Sequence, residues 1–166
     1  MDMTDVKIIK LLQVDARLSI SEISKKVNMS VSAVGERLKK LENSGIIQKY
    51  TVIVDPLLLE KELSVIMNLR LERPEYTDDF LSFVNDEDEV LECHYITGDY
   101  DYSLKIVTHS TSTLERIMNR IKSIPGIQKT QTNVILSTLK NNYSVSPEPD
   151  KNSGSLEKNI TKVRRI

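Results

Sequence analysis

Residues 19–45, SISEISKKVNMSVSAVGERLKKLENSG, decide how this chain folds. Ser19 and Glu22 stand three apart at the head of an apolar run, the spacing at which each side chain caps the other's backbone N–H and opens a helix. Ile20, Ile23 and Val27 supply the inward face of that helix. Asn28 follows at once, and Asn tolerates the left-handed conformation that ends a helix. Met29 plugs the corner, and Ser30 caps a further helix over residues 31–43, which must stop by Gly45. At ~100° per residue, Val31, Val34, Leu38 and Leu41 share one narrow arc. Ser32, Ala33, Glu36, Lys39, Lys40 and Asn43 collect on the opposite arc, with Arg37 on the flank.

Two helices joined by a tight turn, the second small and polar at its leading end and basic behind, describe a helix-turn-helix. Small residues let a helix approach base edges, while basic ones pair with phosphates and fix the register. Ser30, Ser32, Ala33, Glu36, Arg37, Lys39 and Lys40 are therefore expected to face double-stranded DNA. A basic patch alone is more often a solvated face, but the turn and the caps weigh against that. Upstream, Thr4 as a cap, Asp5 in the first turn, and Val6, Ile9 and Leu12 flanked by Ile8 and Leu11 complete a winged-helix-like head over residues 1–45.

Past Gly45 the period changes. The β-branched run 46–54 predicts a strand ended by Asp55-Pro56, and residues 46–62 form a linker strand and hinge. Leu63, Val65, Met67, Leu69 and Leu71 alternate as one strand face. A short helix over 76–84 turns Phe80, Leu81 and Val84 inward. Strands over 90–97 and 102–108 flank the turn 98–101. A helix over 114–124 carries Ile117, Met118, Ile121 and Ile124, and a strand over 127–139 closes the series. The order is that of a ferredoxin-like βαββαβ sandwich over residues 63–140, so the chain is α+β. The uncovered sheet face should keep apolar and aromatic residues and need a second copy as its cover, a homodimer. Residues 141–166 turn to Asn, Ser, Pro and charge, the composition of a disordered tail, with a weakly basic helix over 156–166 on contact with an anion.

Composition narrows the function classes. Cys93 is the only cysteine among 166 residues, which excludes an intramolecular disulfide framework and a cysteine-rich zinc site. No run approaches the ~18 apolar residues of a membrane span and the start is unlike a signal peptide, so a cytoplasmic, nucleoid-associated protein with no membrane partner is expected. The net charge of −1 hides a split: residues 1–50 carry nine Lys and Arg against six Asp and Glu, residues 51–140 nine against fifteen. A basic head on an acidic body fits a chain that meets phosphates at one end. His94 and His109 lack a second ligand at metal spacing, and 86–89 (DEDE) is simplest as a solvated loop, so no catalytic group, metal or cofactor is expected.

The run from Met3 to Pro56 strongly resembles the N-terminal half of the Lrp/AsnC (leucine-responsive, feast/famine) family. The shared landmarks are DARLS at 15–19, S-x-S-x-V-x-x-R-x-K-x-L at 30–41, GIIQKY at 45–50 and VDP at 54–56. GDYDY at 98–102 and IPGIQKTQTNVILS at 124–137 resemble the family's ligand-sensing domain. The resemblance is collinear over residues 3–140; Asn28 replaces a common Gly, the Gly after VDP is missing, and the tail matches nothing. It implies a transcription regulator that dimerises through the sensing domain, assembles into tetramers or octamers, and binds an amino acid between dimers near the glycine-containing turn. By position that places Gly98, Asp99, Tyr100 and Asp101 at the effector site, with Thr130 and Thr132 beside them. Asp101 can hold an ammonium group and the turn's N–H groups a carboxylate. Three alternatives stay open: a plain hairpin turn with no effector, a nucleoid-organising protein that binds DNA broadly, and a tetrapyrrole decarboxylase like some relatives.

Overall fold

The computed structural model describes residues 1–150. The chain divides into two compact units: Met1–Ile53 with the described residues from Asn141 onward, and Val54–Lys140.

The first unit holds helices α1 (Met3–Val14), α2 (Ile20–Val27) and α3 (Val31–Asn43). The caps foreseen at Ser19/Glu22 and Ser30 form: Ser19 and Glu22 make a reciprocal box, and Ser30 Oγ accepts from the Ala33 N–H. Asn28 sits at φ 55°, ψ 51°, the left-handed turn between α2 and α3. Helix α1 starts earlier than Thr4 implied, because Asp2 accepts from the N–H groups of Thr4 and Asp5 while Asp5 reaches back to the Asp2 N–H. Ile8, Ile9, Ile23, Val34, Leu38 and Leu41 form the core, ringed by Leu12, Val27, Met29 and Ile47. Val31 and Ile20, expected inside, stay 52% and 41% exposed, since the first residue of each helix overhangs so small a core.

The expected strand over 46–54 does not form. No described strand lies beside it, and a strand needs a ladder partner that its own sequence cannot supply. Ile47 instead packs on the three-helix core, while Val52, Ile53 and Val54 lie exposed.

The second unit is a four-stranded antiparallel sheet of β1 (Leu63–Leu71), β2 (Val90–Tyr95), β3 (Tyr102–Thr108) and β4 (Ile127–Val134), in the order β2-β3-β1-β4. Helices α4 (Thr77–Asp86) and α5 (Thr111–Lys122) pack on the face formed by Val65, Met67, Leu69, Tyr102, Leu104 and Ile106. Phe80, Leu114, Ile117 and Ile121 fill the layer between, each buried side chain worth about 1.5–3 kcal/mol. Leu81, expected inward, is exposed. Helix α5 begins at Thr111, before the expected Leu114, because Ser110 and Thr113 cap it. Strand β4 ends at Val134, short of Leu139, because its ladder runs off the start of β1 near Leu63 and Ser64.

The open sheet face and the acidic run both differ from expectation. Register puts Ser64, Asn68, Arg70, Glu92, His94, Ser103, Lys105, Lys129, Gln131 and Asn133 on the open face, with only Ile66 and Val107 apolar among them. That face is polar, so an apolar sheet surface gives no reason for a dimer. In the acidic run, Glu87 and Glu89 are buried rather than solvated. Glu87 takes the Arg120 guanidinium, and Glu89 accepts from Lys61 Nζ at 2.9 Å and Thr108 Oγ1 at 2.8 Å. Burial pushes the Glu89 carboxyl up, but the hydrogen bonds from Lys61 and Thr108 outweigh it and hold the group below its ordinary value.

Residues 141–150 carry no helix or strand, yet Gln13 Nε2 donates to Ser144 Oγ at 2.9 Å and to the Val145 carbonyl at 2.8 Å. The expected disorder over 151–166 and basic helix over 156–166 lie outside the described residues.

Gly126 turns the chain into β4 at φ +79°, and a Cβ there would fall 2.0 Å from Tyr76 Cδ2. Gly126→Ala is expected to destabilise the sheet unit by about 2–4 kcal/mol, from left-handed strain plus overpacking. Denaturant unfolding of the full chain checks this, and the three-helix unit should keep its own transition.

Candidate nucleic-acid interface and ligand site

The outward side of α3 is assembled by what its inward side does. Val34, Leu38 and Leu41 are buried, which turns Ser32, Glu36, Lys39 and Lys40 to solvent and leaves Ala33 half-buried. Lys39 and Lys40 form no ion pair among the described residues, so both ammonium groups are available to an anion. Ser30 spends its hydroxyl on the helix cap and lies 3.1 Å from the Ser32 hydroxyl. That cluster sits at the positive end of the helix dipole, where an approaching phosphate is favoured.

Arg37 departs from the expectation that it serves phosphate. Its Nη1 donates to Asp2 Oδ2 at 2.7 Å and to Asp5 Oδ1 at 2.6 Å, with Asp5 buried. Hydrogen bonds to Asp5 and Asp2 raise the guanidinium's pKa further. The Asp5 N–H above all, then the Arg37 guanidinium and the Thr4 N–H, hold Asp2 below its ordinary value against the desolvation that raises it. Arg37 is thus a strut between α3 and the start of α1. Met1, Asp2, Asp5, Met29, Ala33, Glu36, Arg37 and Lys40 line one groove beside the recognition face.

One contact had no signal in the sequence. Tyr50 Oη donates to Glu42 Oε1 at 2.9 Å, tying the segment after α3 back onto its last turn. Burial and the Glu42 carboxylate push the phenol up to about 12.

The second candidate site is the turn that closes the β2–β3 hairpin. Ile96 N–H donates to the Asp101 carbonyl, Asp101 N–H to the Leu69 carbonyl, and Leu71 N–H to Asp101 Oδ2 at 2.8 Å. One Asp101 oxygen therefore satisfies the end of β1. Gly98 adopts φ +119°, a conformation open to glycine, with free space where a Cβ would be. Asp99 is exposed, and the Tyr100 ring has Lys129 Nζ 4.6 Å from its centroid. Lys129 was missed because nothing in its own neighbourhood points across two strands. Thr130 pairs with Leu69 and Thr132 with Met67, so β1 lies between them and the turn, and Thr132 is a step farther along β4. Thr132 Oγ1 is buried with no partner among the described residues. His94 pairs with Glu92 and His109 with the Glu60 carbonyl. Six residues of strand register separate the two histidines, about 20 Å. They do not converge.

These roles separate by experiment. Arg37→Ala should cost about 1–3 kcal/mol of stability in the three-helix unit, because it leaves the buried Asp5 without its cation. Lys40→Ala should leave stability within about 0.5 kcal/mol and flatten the salt dependence of duplex binding by about one unit of slope. Thermal unfolding beside binding titrations in a salt series reads both.

Comparison with known proteins agrees with this architecture. The family model described as the Lrp/AsnC ligand binding domain matches residues 64–145, and one described as winged helix-turn-helix DNA-binding matches residues 1–48. The chain is 36% identical over 140 residues to the HTH-type transcriptional regulator FL11 of Pyrococcus abyssi, covering 84% of this chain and 92% of that protein. It is 34% identical over 143 residues to the leucine-responsive regulatory protein of Escherichia coli, covering 84% and 87%. Among solved structures, the transcriptional regulator NMB0573/L-Met complex from Neisseria meningitidis superposes with a TM-score of 0.83 at 29% identity, covering 87% and 96%. Escherichia coli AsnC superposes with a TM-score of 0.82 at 26% identity, covering 89% and 99%. With a recognition helix locked on its core and a βαββαβ unit behind it, the chain belongs to the Lrp/AsnC family of DNA-binding transcriptional regulators.

Proposed function

We propose that this protein is a sequence-specific, non-enzymatic regulator that reads duplex DNA with α3 and changes its binding when an amino acid enters at the turn 98–101. The observation that carries the DNA half is the exposed row Ser32, Glu36, Lys39 and Lys40 on a helix whose other side is buried. In this reading Ser32, Ala33 and Glu36 face base edges, and Lys39 and Lys40, with Arg37 where its carboxylate partners allow, serve phosphates. A regulator of chromosomal DNA acts in the cytoplasm, at the nucleoid.

The protein works as a homodimer that builds into larger assemblies. The support is the exposed apolar stretch Val52, Ile53, Val54, Leu57, Leu58 and Leu59, whose first half lacks a ladder partner. A second copy offers both the partner backbone and the apolar cover.

For the effector, the support is chemical. Asp101 keeps one carboxylate oxygen beyond its bond to Leu71, enough to receive an α-ammonium, and the Thr132 hydroxyl is unspent. A relative of known structure was crystallised with L-Met. A ligand acts here only through unequal affinity for different assemblies or helix spacings. The effector-free reading has one observation in its favour: the turn satisfies itself, with Asp101 capping β1 and Tyr100 against Lys129. Catalysis has little to stand on, since His94 and His109 lie apart and each already has a partner.

The test is a thermal-shift survey of the amino acids with wild type and Asp101→Asn. Asn keeps an acceptor for the Leu71 N–H and removes the charge. Stabilisation by one amino acid in the wild type, lost or cut at least about tenfold in affinity in Asp101→Asn, is the expected result. A shift that survives unchanged moves the site elsewhere, and no shift with any amino acid favours the effector-free reading.

A further inference from the structure

We infer that Val31 and Gly35 form an apolar notch on α3 that takes the C5-methyl group of a thymine in the major groove, which makes both specificity-determining residues of this DNA reader. Val31, Gly35 and Lys39 stand four residues apart, so they are neighbours along one ridge of the helix surface. The ridge beside it carries Ser32, Glu36 and Lys40. Val31 is the first residue of α3 and is 52% exposed, while Val34, Leu38 and Leu41 supply the buried side of the helix. Its methyl groups are left at the leading end of α3, the end whose residues reach base edges in a helix-turn-helix.

A single exposed valine is ordinary on a protein surface, and it is Gly35 that gives this one a meaning. Glycine inside a helix costs stability relative to alanine. Gly35 needs no left-handed backbone, unlike Gly45, Gly98 and Gly126, and a Cβ there would meet nothing within 4 Å. Neither the backbone nor packing among the described residues asks for glycine, so alanine at this position would fold at least as well. What the missing side chain leaves is bare helix between Val31 and Lys39, where an outside group can approach the backbone closely. The apolar group that a base pair shows in the major groove is the thymine methyl. It matches in size the methyl that Gly35 lacks, and Val31 gives it an apolar wall. Lys39, one turn on, is exposed and in position for a flanking phosphate. A protein surface could cover the same ridge, but Ser32, Glu36 and Lys40 run alongside it, and a DNA groove that receives one ridge receives its neighbour.

The inference rests on α3 being the helix that reads DNA, and the experiment separates the two claims. A duplex selected by the full-length wild type from random sequence is remade with each thymine in turn replaced by uracil, which removes only the methyl group. At one thymine for each bound α3, the replacement should cost the wild type about fourfold in affinity, the worth of one buried methyl. Val31→Ala should bind the thymine duplex about as weakly as the wild type binds the uracil one, and should lose nothing further on uracil. Gly35→Ala puts a methyl where the thymine methyl sits. It should raise the melting temperature of the three-helix unit by about 3–6 °C, bind the thymine duplex at least about tenfold more weakly, and recover most of that loss on uracil. Lys39→Ala with Lys40→Ala should weaken every duplex alike; no loss there overturns the α3 reading, and the notch with it. With that control positive, the notch is overturned if uracil costs nothing at any position, if it costs wild type and Val31→Ala equally, or if Gly35→Ala treats both duplexes alike. A Val31→Ala protein that sediments differently from the wild type and keeps its thymine preference would assign the ridge to a protein contact and overturn the notch as well.

Discussion

Arg37 bridges two carboxylates, and the pose of the recognition helix depends on that bridge. Asp2 and Asp5 already cap α1 by bonding each other's backbone; the guanidinium then ties this cap to the middle of α3, thirty-odd residues away in sequence. A core of six residues is small for holding three helices in one arrangement. A charge-assisted strut between the helix that begins the unit and the helix that meets DNA supplies orientation that apolar packing, being non-directional, cannot. The recognition face is its consequence: Lys39 and Lys40 stay available because Arg37 is the cation that the core-side acids consume.

In the sheet unit, register plays the corresponding part. The ladders place Val65, Met67 and Leu69 opposite Ile106, Leu104 and Tyr102 on one face, and both helices close over that face. The same registers turn Glu92, His94 and Lys105 outward, where they bond one another. Exposed apolar residues crowd the linker, at Val52, Ile53, Val54 and Leu57–Leu59, with others on β2 at Leu91 and Tyr95 and at the end of β4.

The range of each interaction decides how much of it was legible in the sequence. Ser19 with Glu22, the turn at Asn28 and the cap at Ser30 were readable because a cap is decided within four residues. Strand β3 was readable over 102–108, since alternation and flanking breakers are local too. Residues 46–54 have strand chemistry without a strand, because pairing needs a second backbone that no local pattern names. The ion pairs of Arg37 were not foreseen, since a basic residue on a helix flank looks the same whether it meets a phosphate or a distant carboxylate. Glu87 and Glu89 were misread for the same reason, their cations lying on α5 and in the linker. Gly98 and Asp101 were singled out through the resemblance to the family's turn, while the contacts that Lys129 and Leu71 make with that turn come from other strands.

In the proposed homodimer, α3 of each subunit enters the major groove. Footprinting of the full-length protein on duplexes selected by it from random sequence tests this directly. Two protected major-groove patches are expected on one side of the duplex, centred about one helical turn or an integer multiple apart, both lost with Lys39→Ala and Lys40→Ala. A single patch, protection confined to the minor groove, or a pattern unmoved by those two substitutions would contradict it.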